Sequence, residues 1–167
     1  DLGDEFMISS NQMGPFPEGL QVGLVNINER KVLLNFLDHK EMIANNQNSA
    51  YDLKIIAGDK EYVKSMSQEI LSSIPEEFSL GQNYPNPFNP ITKMEYSLPQ
   101  RSKVVISIYN VLGQEIKSLI NKEQDYGYHS VTWDGTDRLG KSVASGVYFT
   151  QMRSGGFSQS KKMLLLK

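Results

Sequence analysis

Carboxylates are the best candidates for chemistry in this chain, because it has only two histidines and no cysteine. In Trp133-Asp134-Gly135-Thr136-Asp137, two carboxylates close to a glycine loosely match a calcium loop. A loop of the EF-hand type needs oxygen ligands at alternating positions and a distal glutamate, and neither is present. Asp-Gly after a strand reads instead as a tight turn, with Asp134 accepting backbone amides. His39, in Asp38-His39-Lys40-Glu41, sets a base beside acids, yet no glycine-flanked serine or other nucleophile accompanies it. His129 lies mid-strand beside Tyr128 and reads as a strand-face residue, and two isolated histidines make a weak metal site. Ser154-Gly155-Gly156 opens no helix and lies between strand-like runs, so it is a hairpin turn and not a phosphate cradle. No catalytic residue, metal or cofactor is expected from these patterns.

The aromatic residues Tyr126, Tyr128, Trp133, Tyr148 and Phe149 offer a different chemistry, a platform on which sugars stack. Core packing explains Trp133 and one face of Val147 to Met152 with fewer assumptions. Lys161, Lys162 and Lys167 flank a terminal apolar run and read as charges that keep an edge strand from pairing with other chains.

These residues must be positioned by a nearly neutral chain of 167 residues with a net charge of −2, which offers no nucleic-acid-sized basic field. No apolar run approaches the roughly 20 residues that span a bilayer. The sequence starts at Asp1 with no methionine and enters strand-like text at once in Glu5-Phe6-Met7-Ile8-Ser9, which reads as a fragment of a longer protein whose upstream part carries the signal peptide and the activity. Charge divides unevenly: residues 1–75 hold 6 basic and 11 acidic side chains, residues 76–167 hold 11 and 8. Two modules are expected, 1–74 and 75–167, joined by a short linker near Ser72-Ser73-Ile74-Pro75.

In the first module, Leu20 to Ile27 alternates like a strand, and Lys31 to Phe36 and Tyr51 to Ile56 supply two more. Asn28-Glu29-Arg30 closes a hairpin, Asn45 to Asn48 is a polar loop and Gly58-Asp59 ends the third strand. Tyr62, Met66, Ile70 and Ile74 recur every fourth residue, the signature of a short helix packed on the sheet. The second module reads as six or seven strands: Thr92 to Leu98, Val104 to Tyr109, Glu115 to Leu119, Tyr128 to Trp133, a poor one at Lys141 to Ala144, Val147 to Met152, and Ser160 to Leu166. That spacing belongs to a small antiparallel sandwich. Val104, Ile106 and Ile108 share one face of the second strand, with Tyr109 and Val111 on the other. Val131 and Trp133 point inward from the fourth, and Met163 to Leu166 cover the sandwich.

Three prolines and three asparagines between Gln82 and Pro90 exclude helix and central strand there, leaving an ordered loop whose Asn side chains bond its own backbone. With that loop come Pro75-Glu76-Glu77-Phe78-Ser79-Leu80, Ile108 to Gln114, Trp133-Asp134-Gly135, Ala144 to Phe149 and Lys162 to Lys167, in this order. Over residues 75–167 this text closely resembles the C-terminal sorting domain of proteins exported by the type IX secretion system, which shares an immunoglobulin-like sandwich with the flagellar hook-capping protein. The resemblance implies an all-β protein: an immunoglobulin-like antiparallel β-sandwich preceded by a small β-rich module. It further implies export through the periplasm and outer membrane to the cell surface, with the type IX translocon and a sortase-like peptidase as partners, and cleavage within Ile74 to Asn83. Gly146, Tyr148, Lys161, Lys162, Met163, Leu164, Leu165 and Lys167 are then the sorting-signal candidates. A carbohydrate-binding or adhesive module and a hook-cap-like scaffold are the alternatives.

Overall fold

The computed structural model describes residues 5–9, 18–27, 29–33, 41–45 and 53–166, with backbone only for 5–9, 41–45 and Leu33. The chain divides into two compact units, Asp1–Ser73 and Ile74–Lys167.

In the first unit, β1 (Glu5–Ser9) pairs antiparallel with β4 (Glu41–Asn45). A second antiparallel sheet has the order β3-β2-β5, from β2 (Gln21–Asn26), β3 (Lys31–Leu33) and β5 (Leu53–Gly58). The expected alternation in the first of these does not translate into one wet face. Val22, Gly23, Leu24 and Val25 are all buried, because β2 is the central strand and α1 (Lys60–Ser73) packs on it. Predicted strand residues 34–36 and Tyr51, the Asn46–Asn48 part of the polar loop, Asn28, and His39 lie outside the described residues. At the β2–β3 turn, Arg30 adopts φ 53° and its Nη2 donates to the Leu71 carbonyl at 3.0 Å, placing a cation on the last turn of α1.

Asp59 does more than end a strand. Its Oδ1 accepts the Tyr62 amide at 2.8 Å and its carbonyl the Val63 amide at 3.0 Å, so it is the N-cap of α1. The buried row of α1 is Val63 and Ser67, not Tyr62 and Met66; Tyr62 is 49% exposed, and Ile74 follows the helix end. A strict four-residue spacing drifts around a helix of 3.6 residues per turn, so an early member such as Tyr62 falls off the buried face. The ring of Tyr62 lies over Gly58 instead, where a Cβ would sit 2.5 Å from its Cδ1. Ser67 tolerates burial by donating its hydroxyl to the Val63 carbonyl at 2.7 Å.

The second unit is an immunoglobulin-like sandwich of two antiparallel sheets. One sheet has the order β10-β7-β6, from β6 (Ser79–Leu80), β7 (Thr92–Leu98) and β10 (Gly127–Trp133). The other runs β12-β11-β8-β9, from β8 (Ser102–Asn110), β9 (Glu115–Gln124), β11 (Gly146–Ser154) and β12 (Phe157–Leu165). Alternate residues of both sheets meet in a core that contains Met94, Leu98, Val104, Ile106, Ile108, Trp133, Met152, Met163 and Leu165, all at 0% exposure.

The sandwich departs from the sequence reading in four places. Lys141 to Ala144 is no strand: only an isolated bridge, Thr136 to Ser142, forms there. Two-residue β6 is too short to leave a periodic signal. β9 runs on to Gln124 because its polar end, Asn121-Lys122-Glu123, lies on an outer strand where water replaces packing. Val111 is not on a strand face; it sits in the β8–β9 turn and is 67% exposed.

Candidate functional site

All the resemblance blocks but one converge on one end of the sandwich, around the end of strand β12; Pro75–Leu80 instead meets the start of β12, where Phe78 stacks 5.7 Å from Phe157 and Gln159 Oε1 accepts the Leu80 amide at 2.9 Å. The β11–β12 register sets Gly146 opposite Leu165, Val147 opposite Leu164 and Tyr148 opposite Met163. Gly146 enters β11 at φ 154°, a conformation that favours glycine. Tyr148 is 7% exposed and its Oη donates to the Ala144 carbonyl at 2.8 Å; burial raises its phenol above the ordinary pKa. Met163 and Leu165 point into the core, whereas Leu164 is half-buried on the opposite phase and Leu166 is 48% exposed. The expectation that all four terminal apolar residues cover the sandwich is therefore corrected to two, since successive side chains of a strand point to opposite faces. The same alternation separates the two lysines. Lys161 shares the phase of Met163 and is half-buried; Lys162 is exposed on the other face. Lys167 lies outside the described residues.

β12 is the last strand of its sheet, yet its outer edge is occupied. Phe88 donates its amide to the Leu164 carbonyl at 3.0 Å and accepts the Leu166 amide at 2.9 Å, a parallel bridge to Leu165. Asn86 Oδ1 accepts the Leu164 amide at 2.9 Å. The Lys162 carbonyl accepts Gln82 Nε2 at 2.8 Å and Asn86 Nδ2 at 3.4 Å. The Pro/Asn loop thus closes the strand edge, a task the sequence reading assigned to flanking lysines. Only part of the loop bonds to itself. Asn83, 2% exposed, donates Nδ2 to the Pro85 carbonyl and to Thr92 Oγ1, both at 2.9 Å, while Thr92 Oγ1 donates to Pro85 at 2.8 Å. Asn86 turns outward to β12 instead. Composition revealed the loop, but nothing in it named the strand it would meet.

Beneath the loop lies Trp133, fully buried. Its ring is 5.5 Å from Phe88 and 5.1 Å, edge-on, from Tyr148, and its Nε1 donates to the Thr136 carbonyl at 2.9 Å. The adjoining turn uses its carboxylates internally. Asp134 Oδ1 accepts the Thr136 hydroxyl at 2.6 Å, the Thr136 amide at 3.2 Å and Lys117 Nζ at 3.1 Å. The Thr136 hydroxyl bond above all holds its carboxyl below the ordinary range; burial opposes it, and the Lys117 contact and the Thr136 amide add to the lowering. Asp137 Oδ1 accepts the Leu139 and Lys141 amides at 2.8 and 2.9 Å. A cation, Lys117, already neutralises Asp134, so turn chemistry accounts for both carboxylates. Gly135, at φ 69°, presses on the loop: a Cβ there would lie 3.1 Å from the Pro90 carbonyl.

His129 Nε2 contacts the Asp125 carbonyl at 2.9 Å and its ring stacks 5.4 Å from Tyr96. Gly155, φ 55°, forms the two-residue β11–β12 turn. The five-residue aromatic platform does not assemble, because Trp133 and Tyr148 are buried, Tyr128 is 74% exposed on β10, and Phe149 faces outward from the other sheet.

A family model matches residues 91–156. It is that of the FlgD Ig-like domain. No curated protein matches the chain. Among solved structures, FlgD from P. aeruginosa is 20% identical over 50% of this chain and 72% of its own, with a TM-score of 0.38. PorZ, a surface component of the type IX secretion system of Porphyromonas gingivalis, is 17% identical over 55% of this chain, with a TM-score of 0.38. Latent PorU of the same organism is 12% identical over 97% of this chain, with a TM-score of 0.43. The chain spans only 12% of PorZ and 18% of PorU.

Proposed function

We propose that residues 75–167 are a sorting domain that directs a secreted bacterial protein through the type IX translocon to the cell surface, that the preceding module is non-catalytic, and that the whole acts as an address and not as an enzyme. The observation that carries this reading is the convergence of four of the resemblance blocks: loop, Trp133 turn, β11 and β12 form one packed unit around the terminal strand, through Phe88–Trp133, Trp133–Tyr148 and the Tyr148–Met163 pair. A short terminal sequence read as an extended peptide would need no such support. Within the proposed cleavage segment, Glu76-Glu77, ahead of paired β6, is an exposed pair, and Gln82 beyond it is exposed as well.

The test places the 167-residue chain behind a signal peptide and a fluorescent cargo, in a host with an intact type IX translocon and in one lacking it. Surface or extracellular cargo only in the first host supports sorting. Periplasmic cargo in both, with Trp133 emission showing a folded domain, refutes it. The family match favours a second reading, a scaffold resembling the hook cap; it predicts self-assembly of the chain and no translocon-dependent delivery.

A further inference from the structure

The outer face of the four-stranded sheet in the second unit carries a groove of about 360 Å³, which the sorting reading touches only at Lys162 beside it. That volume falls within the about 300–1,000 Å³ typical of small-ligand clefts. Its floor is a cross-strand pair, Tyr109 on β8 and Phe149 on β11, both half-buried and facing outward. The next pairs along the same face are Ser107 with Gln151 and Val105 with Arg153. Ser160 and Lys162 of β12 continue the first two rows, opposite Gln151 and Phe149. The groove's far wall is the β8–β9 turn, pinned because Asn110 Oδ1 accepts the Leu112 and Gln114 amides, both at 3.0 Å.

Three properties of this face point to a ligand. Tyr109 and Phe149 stand directly opposite each other on adjacent strands, which sets two rings side by side on one face, the kind of apolar surface on which sugar rings stack. Arg153 and Lys162 make no ion pair among the described residues; the nearby acid Glu115 meets the Tyr109 hydroxyl at 3.4 Å. The Ser107 hydroxyl on this face is buried, at 2% residue exposure, with no hydrogen-bond partner among the described residues, as are those of Thr150 and Ser154 on the core-facing phase of β11. The outer face of the other sheet lacks this combination: its exposed rings, Tyr84 and Tyr128, have no unpaired cation beside them among the described residues, because Lys93 and Glu95 satisfy each other at 2.9 Å.

We infer that this groove binds an acidic saccharide chain, the sugar rings stacking on Tyr109 and Phe149, with the carboxylates held by Arg153 and Lys162. Gln151 and Ser160 supply hydroxyl contacts between the two. Arg153 recognises a planar carboxylate with its donor fork, while Lys162 acts as a point charge.

The test is affinity electrophoresis of the full chain in gels containing alginate, a polyuronate, with laminarin as neutral glucan and polyglutamate as non-sugar polyanion. Retardation by alginate alone is expected, weakened about tenfold by Arg153→Glu, whose exposed position leaves the fold intact, as the loss of one charge-assisted contact implies. Phe149→Ala should weaken it comparably, with Trp133 emission as the control for folding. Absence of alginate binding, or binding that neither variant changes, overturns the proposal. Equal retardation by polyglutamate also overturns it, and assigns the face to an acidic protein partner.

Discussion

Replacing Asn83 by alanine tests whether the Pro/Asn loop is a structural part of the sandwich. The side chain is almost fully buried and makes three bonds: Nδ2 to Pro85 and Thr92, and Oδ1 from Gln82 Nε2 at 2.7 Å. Gln82 is exposed and regains water, and Pro85 keeps the Thr92 hydroxyl, so the main uncompensated loss is at Thr92. At about 0.5–1.5 kcal/mol for each bond lost and about 1–3 for a group left buried without a partner, Asn83→Ala should cost about 2–4 kcal/mol. Thr92→Val removes two bonds, its own to Pro85 and the Asn83–Thr92 bond that Asn83→Ala also removes, so the double variant should cost about 0.5–1.5 kcal/mol less than the sum. Urea unfolding followed by tryptophan emission reads this cleanly, because Trp133 is the only tryptophan and lies in the core of the second unit. A loss below about 0.5 kcal/mol, or strictly additive costs, would refute the assignment of the loop as an integral edge closure.

Trp133→Ala should destabilise the sandwich by about 3–5 kcal/mol, the range for deleting a buried aromatic, followed by circular dichroism since the fluorophore is gone. Asp134→Asn should narrow its stability deficit as pH falls. The folded carboxyl titrates below its ordinary range, so its contribution is complete above the unfolded pKa and disappears as acid carries it through the folded one; a deficit constant from neutrality to strong acid would contradict this. Lys162→Ser should change stability by less than about 0.5 kcal/mol and yet hold a folded cargo in the periplasm of a type IX-competent host; normal delivery would leave that lysine an edge charge only. Lys161→Ser should cost more in urea unfolding than Lys162→Ser, because the half-buried stem of Lys161 packs on the core-facing phase of β12.

The sequence by itself determined what depends on local chemistry and period. Alternation in Thr92 to Leu98, Val104 to Tyr109 and Tyr128 to Trp133 placed these strands to within a few residues, and put Trp133 in the core, because a period of two is imposed by the backbone wherever one face is buried. Asp-Gly at residues 134–135 and Gly-Gly at 155–156 marked turns for equally local reasons. Tertiary structure alone decided which segments meet. Phe88 reaches Leu165 across 77 residues of chain, Asn86 satisfies β12 and not its own loop, and Tyr109 joins Phe149 through strand order, none of which leaves a trace in local pattern. Alternation alone sets Lys161 and Lys162 on opposite faces, but which of them takes the core-facing phase is decided by how β12 packs in the sandwich. A backbone donor or acceptor on a sheet edge accepts any partner of the right geometry, so its partner is chosen by how the strands are ordered, not by the residue that carries it.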